Sequence, residues 1–108
     1  REGVEGLPNA AETGGLSGKP VFAKSTAVQK KLSIALAGEL PIIGVGGIMG
    51  GEDAAEKIRA GASLVQLYSA MVYEGHSIAR KVTRGLRQLL ERDGFASVAE
   101  AVGADVPL

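Results

Sequence analysis

The residues whose types and spacing could do chemistry are few, and they suit binding better than bond-making. Gly46 and Gly47 end the apolar run Ile42-Ile43-Gly44-Val45. Two adjacent glycines remove both Cβ atoms, so the backbone can take positive φ and a ligand can approach bare N–H groups. A helix follows almost at once. Strand end, glycine pair and helix N-terminus together form an anion site, because unpaired amides and the positive end of the helix dipole converge there. The competing reading is tight packing of a helix on the strand. A second apolar run ends in Tyr68-Ser69. The Ser69 hydroxyl and amide suit the same anion, or Ser69 caps the segment that follows. Tyr68 reads as positional, its amide at the ligand and its ring packed in the wall. Gly44, inside the run, reads as a close-packing position.

Patterns for bond-making chemistry are weak. Cysteine is absent, which excludes a disulfide scaffold, a thiolate metal site and a cysteine nucleophile. The single histidine, His76, reads as an exposed turn residue, since no second metal ligand stands at a useful spacing. Glu12, Glu74 and the helix acids make no paired-carboxylate pattern. Lys19 and Lys24 are the cations nearest the glycine-rich loop and read as solvated. Arg80, Lys81, Arg84 and Arg87 read as the wet face of a helix. No nucleophile and base stand together.

The elements that must position the glycine pair follow from periodicity. Residues 1–24 carry Gly3, Gly6, Pro8, Gly14, Gly15, Gly18 and Pro20 with little apolar pattern, and read as a long loop. Within it, residues 13–20 are a candidate lid or binding loop. Ser25 reads as the cap of a helix over 26–37, with Val28, Leu32, Ala35 and Leu36 on its inner face and Gly38 closing it. Residues 42–45 read as a strand buried on both sides, because parallel strands covered on both faces run apolar without alternation. A helix over 52–60 follows, acidic early and basic late, with Ala55 and Ile58 inward. Residues 62–69 read as a second buried strand, and 70–74 as a short turn. A long helix over 77–92 has Ile78, Val82, Leu86, Leu89 and Leu90 in a stripe, ended by Gly94. Ser97 and Glu100 have capping-box form ahead of one more short helix.

Helix, strand, helix, strand, helix with ~20 to 25 residues between strands means crossovers and a parallel sheet. A (β/α)8 barrel takes ~250 residues, and its phosphate site is built by the loops after its last two strands plus a short extra helix. The expected architecture is therefore α/β, the closing two or three β/α units of a TIM barrel, incomplete by itself, with residues 1–108 belonging to one domain.

Composition is consistent with that. Lysine plus arginine equal aspartate plus glutamate at 12 each, so no global field draws the chain to nucleic acid. Sixteen glycines stand against two Phe, two Tyr and no Trp, which implies many tight turns and an aliphatic core. No apolar run approaches the ~20 residues of a spanning helix, and the start does not resemble a signal peptide. The first residue is Arg1 rather than methionine, which leads us to expect a fragment.

Three motifs in order, Glu12-Thr-Gly-Gly-Leu-Ser-Gly-Lys-Pro20, Pro41-Ile-Ile-Gly-Val-Gly-Gly-Ile48 and Lys57-Ile-Arg-Ala-Gly-Ala-Ser-Leu-Val-Gln-Leu-Tyr-Ser69, resemble the C-terminal part of dihydroorotate dehydrogenase of the membrane-associated, quinone-reducing class (class 2). The tail over 91–105 resembles eukaryotic members. The resemblance implies a flavin-dependent barrel that oxidises dihydroorotate to orotate in pyrimidine synthesis and passes electrons through FMN to ubiquinone. Carried over by position, Ser17 and Gly18 line the FMN site with Val21 beside it. Val45, Gly46 and Gly47 present backbone to the FMN phosphate, and Leu67, Tyr68 and Ser69 complete it. Gly75-His76 replaces the Gly-Pro of many relatives. The serine base, the substrate-holding asparagines, the flavin-side lysine and the quinone-tunnel helices would lie upstream of Arg1, so no catalytic residue is assigned and the chain alone is expected to be inactive, with sheet edges that invite aggregation. Membrane association would come through that upstream region, at the mitochondrial inner membrane or alternatively a bacterial cytoplasmic membrane. The alternatives are a stand-alone phosphate- or nucleotide-binding module, or part of another FMN-dependent barrel oxidoreductase.

Overall fold

The computed structural model describes residues 3–11 and 14–106, so Glu12 and Thr13 of the first motif lie outside the described residues. Helix α1 spans Phe22–Leu36, strand β1 Ile43–Val45, helix α2 Gly51–Arg59 and strand β2 Leu64–Gln66. Helix α3 spans Ser69–Glu74, α4 Ile78–Arg92 and α5 Val98–Ala101. The strands pair in parallel, with Ile43 opposite Leu64, Gly44 opposite Val65 and Val45 opposite Gln66.

The first helix starts earlier than its sequence pattern predicts. Lys19–Val21 forms a 3-10 turn that runs straight into α1, with Gly18 ahead of it at φ 90° and Pro20 inside its first turn. Proline's fixed φ suits a helix start, where its missing N–H is no loss. Ser25 is therefore not the cap of α1 but lies within its first turn. The face of α1 that is buried also differs from expectation: Thr26 and Gln29 are buried, whereas Val28 is 59% exposed and Leu32 is exposed too. Helix ends follow the glycines more faithfully. The Gly94 amide donates to the Glu91 carbonyl and the Phe95 amide to that of Leu90, and Gly61 and Ala62 repeat the pattern on Ile58 and Lys57. Both are Schellman closures, each with its glycine at positive φ. At the C-terminal end, Ser97 and Glu100 form the expected capping box at α5.

The strands are not buried on both sides. Gly44 is buried against the helices, while Ile43, Val45 and Leu64 are exposed on the other face. A two-stranded sheet with helices on one face can cover only that face. The segment 70–74 is helical rather than a turn. The core gathers Ile48, Ala54, Ala70, Ile78 and Val82 between α2, α3 and α4, with Met49, Val65 and Leu67 against it. Helices α2 and α4 meet at Gly51, where an added Cβ would come within 2.7 Å of the Gly85 backbone.

Candidate site at the strand C-termini

Both strands end on the same side, and the loop ahead of α1 folds over that end. A cavity of about 200 Å3 lies there. Its walls are Leu16, Ser17, Gly18 and Val21 from the loop and 3-10 turn, Val45, Gly46, Gly47, Ile48 and Met49 after β1, and Gln66, Leu67, Tyr68, Ser69 and Ala70 after β2. Every residue that sequence placed at an FMN site, Ser17, Gly18, Val21, Val45, Gly46, Gly47, Leu67, Tyr68 and Ser69, is among them. The glycine at 18 sits close over its neighbours: a Cβ there would lie 3.8 Å from Ser69 Cβ and 3.9 Å from Met49 Cε.

The glycine pair has a second job, which the phosphate reading did not predict. Gly46 has φ 112° and Gly47 φ 74°, both in the left-handed half that favours glycine. A Cβ on Gly46 would stand 2.6 Å from Ser25 Oγ, and one on Gly47 2.6 Å from Phe22 Cβ. Their missing side chains therefore make room for α1, so close helix packing and ligand access coexist at one turn. Gly44 serves packing too, since a Cβ there would be 2.8 Å from Gln29 Oε1 and 3.1 Å from Lys57 Cβ.

Tyr68 departs from its expected place. The residue lines the cavity but is 77% exposed, so its ring is not buried in the wall. The residue sits at the turn into α3, as its N-cap, with no side-chain capping bond. Ser69 is the first residue of α3 and does not cap it. Lys19 and Lys24 do not line the cavity, and His76 is exposed. Among the described residues no group of three potential metal ligands occurs, and no helix is long and apolar enough to cross a membrane.

Behind the glycine pair lies a polar cluster that sequence reading missed. Lys57 is wholly buried, 0% exposed, on the sheet side of α2. Its ammonium donates to Ser25 Oγ at 2.7 Å and lies 4.9 Å from the centre of the Phe22 ring, a cation–π distance. The Ser25 hydroxyl lies 3.0 Å from the Phe22 carbonyl and 3.2 Å from that of Gly46. The Gln29 amide donates to the Lys57 carbonyl at 2.7 Å. Burial pushes the Lys57 pKa below the ordinary lysine value, with Glu56 and Asp53 pulling it back up. A signal existed: Ala54, Lys57 and Ile58 share a face at i, i+3 and i+4, but the late position of Lys57 reads first as a dipole complement.

Among the described residues the cavity lining carries hydroxyls and backbone amides but no lysine or arginine. An anion held there would meet those groups of this chain. Its volume is below the ~300–1,000 Å3 of pockets that enclose a whole drug-sized ligand.

The fold and site thus define a mixed α/β chain with a candidate anion-binding cavity at the C-terminal ends of parallel strands. Comparison with known proteins narrows this. Residues 4–90 match the family model described as dihydroorotate dehydrogenase. Over 92 residues the chain is 75% identical to a dihydroorotate dehydrogenase (quinone) of Dechloromonas aromatica, covering 85% of this chain and 26% of that protein. A second relative of the same name, from Parvibaculum lavamentivorans, is 54% identical over 108 residues, covering 100% of this chain and 31% of the relative. A ligand-free DHODH structure from Eimeria tenella superposes with a TM-score of 0.90 at 40% identity, covering 96% of this chain and 30% of that one. The Eimeria enzyme in complex with ferulenol superposes with a TM-score of 0.87 at 41% identity, covering 92% and 26%. The chain belongs to the dihydroorotate dehydrogenase family.

It spans 26% to 31% of the length of these curated relatives. Both are bacterial and exceed the Eimeria structures in identity, so the eukaryotic leaning read from the tail, and with it a mitochondrial location, finds no support.

Proposed function

We propose that this chain is the closing part of a (β/α)8 barrel of a quinone-dependent dihydroorotate dehydrogenase, and that it supplies the FMN phosphate half-site. The observation that carries this reading is the convergence of the loop 16–18 with both strand ends on one cavity lined by glycine, hydroxyl and backbone groups. When bound, FMN supplies the two-electron chemistry that takes dihydroorotate to orotate and passes electrons to ubiquinone. The residues of this chain bind and orient. Val45, Gly46, Gly47 and Ser69 hold the phosphate through backbone groups and a hydroxyl, Ser17 and Gly18 close over it, and Val21 and Leu67 shield it from water. The exposed apolar face of the strands, Ile43, Val45 and Leu64, is the face that the remaining barrel strands cover, which disfavours a stand-alone phosphate-binding module. The bacterial relatives favour a place at the bacterial cytoplasmic membrane, reached through a region outside these residues.

Riboflavin lacks the phosphate of FMN, so the two ligands isolate this site. In the apo form of the full-length protein carrying this chain, FMN should bind more tightly than riboflavin, and Ser69→Asp, which brings a carboxylate to the phosphate, should remove most of that preference. If Ser69→Asp binds FMN as well as the unsubstituted protein does, the phosphate lies elsewhere. Oxidation of dihydroorotate with a soluble ubiquinone analogue tests the activity itself.

A further inference from the structure

We infer that Lys57 and Ser25 are positioning residues for the ligand-binding peptide: they hold the Gly46–Gly47 amide plane so that its N–H is turned to the phosphate. The inference rests on the phosphate reading given above. A pair of glycines is the freest stretch of backbone a chain can have, and nothing in their own side chains keeps the intervening peptide from rotating. Something else must hold it.

The relay begins with the buried ammonium. Lys57 Nζ donates to Ser25 Oγ at 2.7 Å and thereby occupies an oxygen lone pair. The hydroxyl hydrogen must then go outward. It has two acceptors, the Phe22 carbonyl of its own helix turn at 3.0 Å and the Gly46 carbonyl at 3.2 Å, so Ser25 shares its donor between them and ties the Gly46 carbonyl to α1. A hydroxyl polarised by a cation is the stronger donor, so the bond to Gly46 gains from Lys57 without touching it. Among the described residues no peptide bond is cis, and a trans peptide points its C=O and N–H in opposite directions. Fixing the Gly46 carbonyl toward α1 therefore directs the Gly47 N–H away from α1.

Retaining a buried lysine in this place calls for such an explanation. No ion pair to Lys57 occurs among the described residues, and a desolvated ammonium is costly unless its bonds do something in return.

The test uses the full-length apo-protein and the ratio of riboflavin to FMN dissociation constants. Lys57→Met and Ser25→Ala should each lower that ratio about tenfold, the worth of one hydrogen bond to a charged group, while riboflavin affinity stays as it was. The double variant should lose no more than either single one, since both break the same relay. If both variants fold and keep the original ratio, or if the two losses simply add, the positioning role is wrong. If Lys57→Met fails to fold, Ser25→Ala decides alone. If the unsubstituted protein binds the two flavins equally, and Ser69→Asp changes nothing, the phosphate reading itself has failed, and the inference with it.

Discussion

Replacing Gly47 by alanine should destabilise the protein through α1, whether or not flavin is bound. An alanine Cβ would stand 2.6 Å from Phe22 Cβ and 2.8 Å from both Phe22 Cα and N, so the obstacle is helix backbone and not a movable side-chain tip. Overpacking of this kind costs about 1–3 kcal/mol. The left-handed φ of 74° adds ~1 kcal/mol for a residue with a Cβ. A total of about 2–4 kcal/mol corresponds to roughly 3–5 °C in melting temperature for a domain of some hundreds of residues. Differential scanning fluorimetry of the full-length protein, apo and FMN-loaded, measures this directly. Gly15→Ala is the control, because a Cβ there meets nothing within 4 Å and its φ is not left-handed; it should shift the melt by no more than ~0.5 kcal/mol. If Gly47→Ala melts with the unsubstituted protein, α1 does not pack as closely on the turn as described. Gly47 would then be free of structural duty, and its lack of a side chain would be explained by ligand alone.

Other outcomes follow from the same geometry. Gly51→Ala should cost about 1–3 kcal/mol by pushing α2 off the Gly85 backbone, a loss visible as a lowered melting temperature. Lys57 should give the stability a pH dependence of known sign. Its folded pKa is held below the ordinary value of 10.5 by burial, so between that lowered pKa and 10.5 the unfolded chain binds more protons and stability rises with pH. In urea titrations from neutral to alkaline pH, the stability of the unsubstituted protein relative to Lys57→Met should climb; a flat or falling difference would contradict a buried ammonium. Ser97→Ala should loosen α5 by about 0.5–1 kcal/mol, the low end because the cap bond from the Glu100 amide is long at 3.4 Å. Hydrogen exchange at the Glu100 amide should quicken.

Much of the fold was legible because it is written locally. Glycines at the helix ends, the Ser97 capping box and the order of elements depend on φ preferences and on bonds between near neighbours, so Gly61, Gly94 and Glu100 behave as their sequence predicts. The start of α1 was missed because Pro20 counts equally as a loop marker and as a first-turn helix residue. The face of α1 was missed for a different reason. Apolar spacing says which residues could share a surface, but burial depends on which neighbour arrives, and here the surface carrying Thr26 and Gln29 meets the sheet and α2.

The candidate site divides along the same line. Sequence by itself determined that a glycine pair follows one apolar strand and Tyr68-Ser69 another, that both could serve an anion, and that the motifs belong to this family. Tertiary structure decided what the glycines' missing side chains make room for, that Tyr68 is exposed, and that Lys57 is buried. The reason is distance along the chain. Ser25 meets Gly46 across 21 residues and Lys57 meets Ser25 across 32, contacts that no local periodicity can encode and that exist only once α1 and α2 have closed on the same strand end.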